Sequence, residues 1–108
     1  MKQSKALHVR ASWVNSLVFL KKQTYVQDGS IAIFAEVAEG EDKGAPEFIA
    51  TVCLDEKPSD GCVWLKGWTE NEGIPEALEA ARVVMLTNRI NGATGAVEAL
   101  LLESDYLL

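Results

Sequence analysis

The chain has 108 residues, of which 48% are apolar and 24% charged, and its formal net charge is -6. This length suits a single hydrophobic core, and the composition is not that of a disordered chain. No apolar stretch reaches the roughly 18 residues that a membrane-spanning helix needs, and the N-terminal segment lacks the unbroken apolar run of a signal peptide. We therefore expect one soluble, cytoplasmic domain over residues 1–108, with no membrane partner.

The charge is unevenly distributed along the chain. Residues 1–27 carry five bases and no acid (+5), whereas residues 28–108 carry all sixteen acids and the other five bases (-11). The negative balance argues against direct nucleic-acid binding, since that affinity comes from basic side chains on the phosphate backbone. Two interpretations stay open. Either the basic N-terminal strands pair with acidic neighbours, or the protein presents an acidic face to a partner.

In the N-terminal part, apolar and polar residues alternate over 7–13, with Trp13 on the apolar face. This period of two predicts a half-buried strand. Residues 15–16 are interpreted as a turn before a short apolar run at 17–20. The pair Asp28-Gly29 is a strong turn signal.

The middle of the chain reads as three extended segments separated by loops. Residues 31–37 alternate like a strand, and 39–46 have the glycines, charges and proline of a solvated loop. Residues 48–54 are rich enough in apolar and β-branched side chains for a central strand. A break at 57–61 precedes a further strand at 62–66.

A short helix is predicted at about 73–82. Proline is tolerated in the first turn of a helix, so Pro75 favours either Asn71 as the cap or a later start. Acidic residues near this start suit the positive end of the helix dipole. The apolar stripe at helical spacing is formed by Ile74, Ala77, Leu78 and Ala81.

Two strands joined by a hairpin are predicted after the helix. They cover 83–87 and 96–102, with Asn91-Gly92 as the hairpin signal. The pattern as a whole predicts an α+β fold: a five- or six-stranded, mainly antiparallel sheet with one short helix packed on one face.

Residues able to carry chemistry are few. His8 falls on the polar side of the first strand, no serine has nucleophile-elbow spacing, and no glycine-rich phosphate loop is present. Cys53 and Cys62 lack metal-ligand spacing, so we expect reduced, buried thiols, with a cross-strand disulfide as the alternative. Carboxylate pairs such as Glu76 and Glu79 are common on solvated helices. We expect no catalytic residue, metal or cofactor.

Two tryptophans are candidate binding residues. Trp64 and Trp68 flank Lys66 just before the helix, at a spacing that tends to place both on the same face. They either fill the core beneath the helix or anchor an interface, where tryptophan is enriched.

Acidic residues concentrate between 36 and 47, where Lys43 is the one base. Such a run is either solvated surface or a mimic of a phosphate backbone that occupies the basic groove of a nucleic-acid-binding protein. The five candidate residues are Glu36, Glu39, Glu41, Asp42 and Glu47.

Segments 51–54 and 63–73, the latter containing Glu70-Asn71-Glu72-Gly73, resemble a family of small uncharacterised proteins carried by phages, plasmids and integrated mobile elements. There, a strand is followed by an E-N-E-G turn and a short helix. The resemblance continues from Pro75 to Val84, and weakly through 94–98, so that it extends over about half of the chain. It implies a mobile-element context and no particular reaction. Relatives usually carry glycine at the position of Arg82, which puts a glycine cap at the helix end in doubt, and asparagine at that of Cys53.

These observations favour a non-enzymatic, protein-binding accessory factor. Its sharper form is an anti-CRISPR-like inhibitor that blocks the basic groove of a host protein or ribonucleoprotein. The alternative is a self-associating structural protein or homodimer, suggested by the apolar residues 100–102 and 107–108.

Overall fold

The computed structural model describes residues 4–108. This part of the chain contains seven strands, a 3₁₀ turn and one α-helix, which confirms the α+β class. The strands form a four-stranded and a three-stranded antiparallel sheet, so the prediction of five or six strands in one sheet was too simple. In chain order the elements are β1 (Leu7–Arg10), β2 (Asn15–Thr24), β3 (Ile31–Val37), β4 (Pro46–Ile49), β5 (Cys62–Leu65), the 3₁₀ turn (Thr69–Asn71), α1 (Ile74–Ala80), β6 (Val84–Ile90) and β7 (Val97–Leu101).

The two sheets are joined where β4 ends. The first sheet has the order β1-β2-β3-β4 and the second β5-β7-β6. The Ala50 amide still donates to the Ile33 carbonyl of β3 (2.9 Å), but the Ala50 carbonyl accepts from the Lys66 amide after β5 (3.0 Å). Thr51 then forms a bridge with Leu65. The predicted strand at 48–54 is therefore split, because its second half pairs with a different strand from its first.

The first hairpin turns earlier than the sequence indicated. The Ala11 amide donates to the Val14 carbonyl (2.8 Å), so Ser12 and Trp13 form the tip. Asn15 already pairs with Arg10 at the start of β2, which corrects the predicted turn at 15–16. Val14, directly after the tip, is buried, whereas Trp13 at the tip is exposed.

The hydrophobic core lies on one face of the sheets, beneath α1. The helix contributes Ile74 and Leu78 to it and packs against β1 and β6. On β5, Val63 and Leu65 belong to this core. Because side chains alternate along a strand, Trp64 points to the opposite face.

Helix α1 starts late, as one of the two predicted alternatives had it, with Gly73 as cap and Pro75 in the first turn. It ends in a Schellman arrangement: the Arg82 amide donates to the Glu79 carbonyl (2.9 Å) and the Val83 amide to the Leu78 carbonyl (3.0 Å). Arg82 has φ +60°, a left-handed conformation that favours glycine. The glycine-type helix end is thus formed with arginine. Within residues 4–108, no helix is long and apolar enough to cross a bilayer.

The outer strand of the second sheet is covered at one point by the helix. β6 pairs with β7 on one side only. On its other side, the Leu86 amide donates to the carboxylate of Glu79 (2.8 Å). Edge strands that carry such blocking groups are protected against pairing with another chain.

Candidate partner-binding surface

Three of the predicted acidic residues lie on the exposed loop between β3 and β4. Glu39, Glu41 and Asp42 are all solvent-exposed and form no ion pair with residues 4–108. The loop itself is held by backbone hydrogen bonds. The Gly44 amide donates to the Val37 carbonyl (2.8 Å), and the Ala45 amide donates to the Asp42 carbonyl (2.8 Å). These carboxylates therefore project from a folded loop, which we call the acidic loop (residues 38–45).

The other two predicted acids differ from these three. Glu36 lies on β3, and its carboxylate is 3.2 Å from the ammonium group of Lys21 on β2. Glu47 lies on β4 beside the irregular pairing at Ala35 and Glu36, and it is half-buried. Glu36 is thus already compensated, whereas Glu39, Glu41 and Asp42 carry negative charge that no ion pair within residues 4–108 compensates.

The first interpretation of the charge asymmetry, that basic N-terminal residues pair with acidic neighbours, holds for part of the molecule. Lys21 pairs with Glu36, and Lys5 is 3.8 Å from Asp105, so basic N-terminal residues do meet acidic neighbours. Lys2 lies outside the described residues. The acidic loop takes part in neither pair.

Trp64 is an interior residue. Only 2% of it is exposed, its indole nitrogen donates to the Glu56 carbonyl (2.8 Å), and the guanidinium of Arg89 lies 5.1 Å from the centre of its ring. Trp64 is buried, as the core alternative had it, but it lies under the 53–61 loop and outside the core beneath the helix. The candidate interface role of Trp64 was wrong, since a partner cannot reach a ring that this loop covers.

A buried carboxylate holds the 53–61 loop in place. Glu98 accepts from the Ser59 amide (3.0 Å), the Thr87 hydroxyl (2.8 Å) and the Arg89 guanidinium (2.7 Å), and Arg89 also binds Glu56 (2.6 Å). Burial by itself raises the pKa of Glu98, but these hydrogen bonds outweigh it and hold the pKa at about 2. In residues 4–108 no buried side-chain polar atom lacks a partner, and no group of ligating side chains suits a metal. The bonds of Glu98 and Arg89 attach the 53–61 loop to β6 and β7.

The Glu70-Asn71-Glu72-Gly73 segment has a structural role. The buried side chain of Asn71 donates to the Ile49 carbonyl at the end of β4 (2.7 Å). The Glu72 carbonyl accepts from the Ser12 amide at the hairpin tip (3.1 Å). Gly73 has φ +86°, and a Cβ there would lie 3.3 Å from the side chain of Ala11. The motif therefore fastens β4, the hairpin tip and the start of α1 to one another.

Trp13 is the exposed aromatic residue that the sequence analysis missed. It is 72% exposed, against 37% for Trp68, the other tryptophan that a partner can reach. The signal was present: Val14 is apolar where the alternation over 7–13 requires a polar residue, which marks a chain reversal. Its place at the hairpin tip puts Trp13 at the same end of the first sheet as the acidic loop.

This shared end of the sheet follows from two contacts. The Ala38 amide, at the start of the acidic loop, donates to the Leu17 carbonyl of β2 (2.9 Å). Glu39 and Asn15 line one shallow depression of about 470 Å³ together with His8. His8 itself is exposed, as predicted, and is hydrogen-bonded to the Asn15 side chain (2.6 Å).

The two cysteines are free, half-buried thiols. They are unpaired, as predicted, and the disulfide alternative is not formed, but the prediction that they are buried was wrong. Burial raises the pKa of both Cys53 and Cys62, with nearby carboxylates acting in the same direction. A raised pKa keeps a thiol protonated and poorly nucleophilic.

The leucines that suggested self-association serve the fold. Residues 100–102 are half-buried, and β7, which contains two of them, is the central strand of its sheet. Leu107 is buried in the core, and Leu108 is about half exposed. These residues do not form an exposed sheet edge.

Comparisons with known proteins add no assignment, since no family model, curated protein or solved structure matches this chain. The resemblance to mobile-element proteins therefore stays a prediction. The functional argument rests on the surface described above.

Proposed function

We propose that the protein is a non-enzymatic binding factor whose acidic loop enters the basic groove of a nucleic-acid-handling protein or ribonucleoprotein. The observation that carries this proposal is the exposure of Glu39, Glu41 and Asp42 on a folded loop, with no ion pair to residues 4–108. In its sharper form, the partner is a host defence nuclease, and the protein is an anti-CRISPR-like inhibitor. The resemblance to mobile-element proteins supports that form.

The physical basis is electrostatic complementarity. A groove that binds nucleic acid is lined with arginine and lysine, and it focuses a positive potential that attracts carboxylates. The acidic loop is closed by the hydrogen bond from the Gly44 amide to the Val37 carbonyl (2.8 Å), so its backbone loses little conformational freedom on binding. Bound there, the domain excludes nucleic acid sterically.

The test is a pull-down with the tagged protein from a lysate of a bacterium that carries defence systems, followed by mass spectrometry. A loop variant carries Glu39→Lys, Glu41→Lys and Asp42→Lys. A matched control variant reverses three exposed acids elsewhere, at Asp60, Glu76 and Glu103.

We expect the wild type and the control variant to retain a basic, nucleic-acid-handling protein that excess nucleic acid displaces. The loop variant should lose it. Equal recovery by the loop variant, or a complex that nucleic acid does not displace, would show that the acidic loop is not the binding element.

A further inference from the structure

The exposure of Trp13 calls for a physical account. The chain buries Trp64 almost completely, yet it leaves 72% of Trp13 in solvent. Covering a large apolar ring with a partner removes it from water and lowers the free energy of the complex. Tryptophan is also among the residues most enriched at binding hot spots.

The backbone that presents Trp13 is held on three sides. The Ala11 amide donates to the Val14 carbonyl (2.8 Å) and closes the tip from within the hairpin. The Ser12 amide donates to the Glu72 carbonyl (3.1 Å) and ties the tip to the segment before α1. Behind it, Gly73 lies close enough to Ala11 that a Cβ would be 3.3 Å away. A tip fixed in this way loses little entropy when it binds.

The exposed indole and the acidic loop are related by their positions in the first sheet. Trp13 and the acidic loop project from the same end of the first sheet, which the hydrogen bond from Ala38 to Leu17 (2.9 Å) connects. Lysine and arginine both pair with carboxylates, but the guanidinium of arginine does so bidentately and also stacks on aromatic rings. An end of the sheet that offers both an exposed aromatic ring and exposed carboxylates is therefore better matched to arginine than to lysine.

We infer that Trp13 is the anchor of the partner-binding surface, and that the partner's basic groove is rich in arginine at the point where the indole docks. This inference rests on the proposed function, because it assigns a residue and a partner chemistry to the same surface.

The test uses two defined probes, an oligoarginine and an oligolysine peptide of equal length, titrated into the full chain by calorimetry at fixed salt. The variants are Trp13→Ala, the conservative Trp13→Phe, the loop variant, and Trp68→Ala as a control at the other exposed tryptophan. Circular dichroism confirms that each variant is folded.

We expect the wild type to bind oligoarginine at least about threefold more tightly than oligolysine, the range of an exposed cation–π contact. Trp13→Ala should reduce this preference to the part that bidentate pairing with carboxylates supplies, whereas Trp68→Ala should keep all of it and Trp13→Phe should give an intermediate value. The loop variant should weaken binding of both peptides.

The two proposals fail differently. Equal affinity for both peptides, no binding of either, or a preference that Trp13→Ala leaves unchanged overturns the role of Trp13. Peptide binding that the loop variant leaves unchanged contradicts the proposed function itself.

Discussion

Replacing Arg82 by glycine should stabilise the protein. Arg82 has φ +60° at the end of α1, and its side chain is exposed and forms no ion pair within residues 4–108. The left-handed conformation costs an L-residue about 1 to 2 kcal/mol, and glycine is free of this cost. Glycine also makes the unfolded chain more flexible, which offsets about 0.4 to 1 kcal/mol. The net gain expected for Arg82→Gly is about 0.5 to 1 kcal/mol.

Urea and thermal denaturation, followed by circular dichroism, measure this difference. For a domain of this size, a gain of about 1 kcal/mol raises Tm by roughly 4 °C or slightly more. Arg82→Ala is the matched control, because it removes the same charge but keeps a Cβ. It should leave the stability within about 0.5 kcal/mol of the parent. A glycine variant no more stable than the parent, or an alanine variant with the same gain, would refute the argument from backbone strain.

Two other substitutions test the buried contacts, both by urea denaturation. Glu98→Gln should destabilise the protein at neutral pH by at most about 3 kcal/mol, the equivalent of a pKa of about 2 in place of 4.5. Because the folded-state pKa is the lower one, this contribution is complete above the unfolded-state value and is lost as pH falls from 4.5 towards 2. The difference from the parent should therefore shrink in acid, and a difference that is constant with pH would contradict this assignment. Asn71→Ala leaves the Ile49 carbonyl without its donor and should cost about 1 to 3 kcal/mol; an unchanged midpoint would mean that water replaces the amide.

The sequence was informative wherever local pattern decides structure. The spacing of apolar residues predicts the helix. Pro75 leaves either Asn71 as cap or a later start, because proline suits the first turn, and the later start is the one observed. Alternation predicts the strand at 31–37, which the structure confirms. The glycines and charges of residues 39–46 predict a solvated loop, and residues 39–44 are exposed.

Elements that depend on distant partners could not be predicted in this way. The run at 48–54 is apolar throughout, so nothing in it shows that the chain changes its pairing partner after Ala50. Trp64 reads equally well as core or surface, because its burial depends on Glu56 and Arg89, which meet it only in the folded state. Trp13 was assigned to a strand because it keeps the alternating pattern, although the hairpin has already turned there.

The contact between Glu79 and Leu86 links the integrity of the helix to colloidal behaviour. The carboxylate that occupies the free side of β6 belongs to the last turn of α1, so any fluctuation that frays this turn also uncovers an amide on a sheet margin. Met85 and Ile90, both about half exposed, flank the uncovered stretch. Partial unfolding of one short helix is thus enough to expose an aggregation-prone sheet edge while the rest of the domain stays folded. In concentrated solution, aggregation would then begin below the temperature of global unfolding.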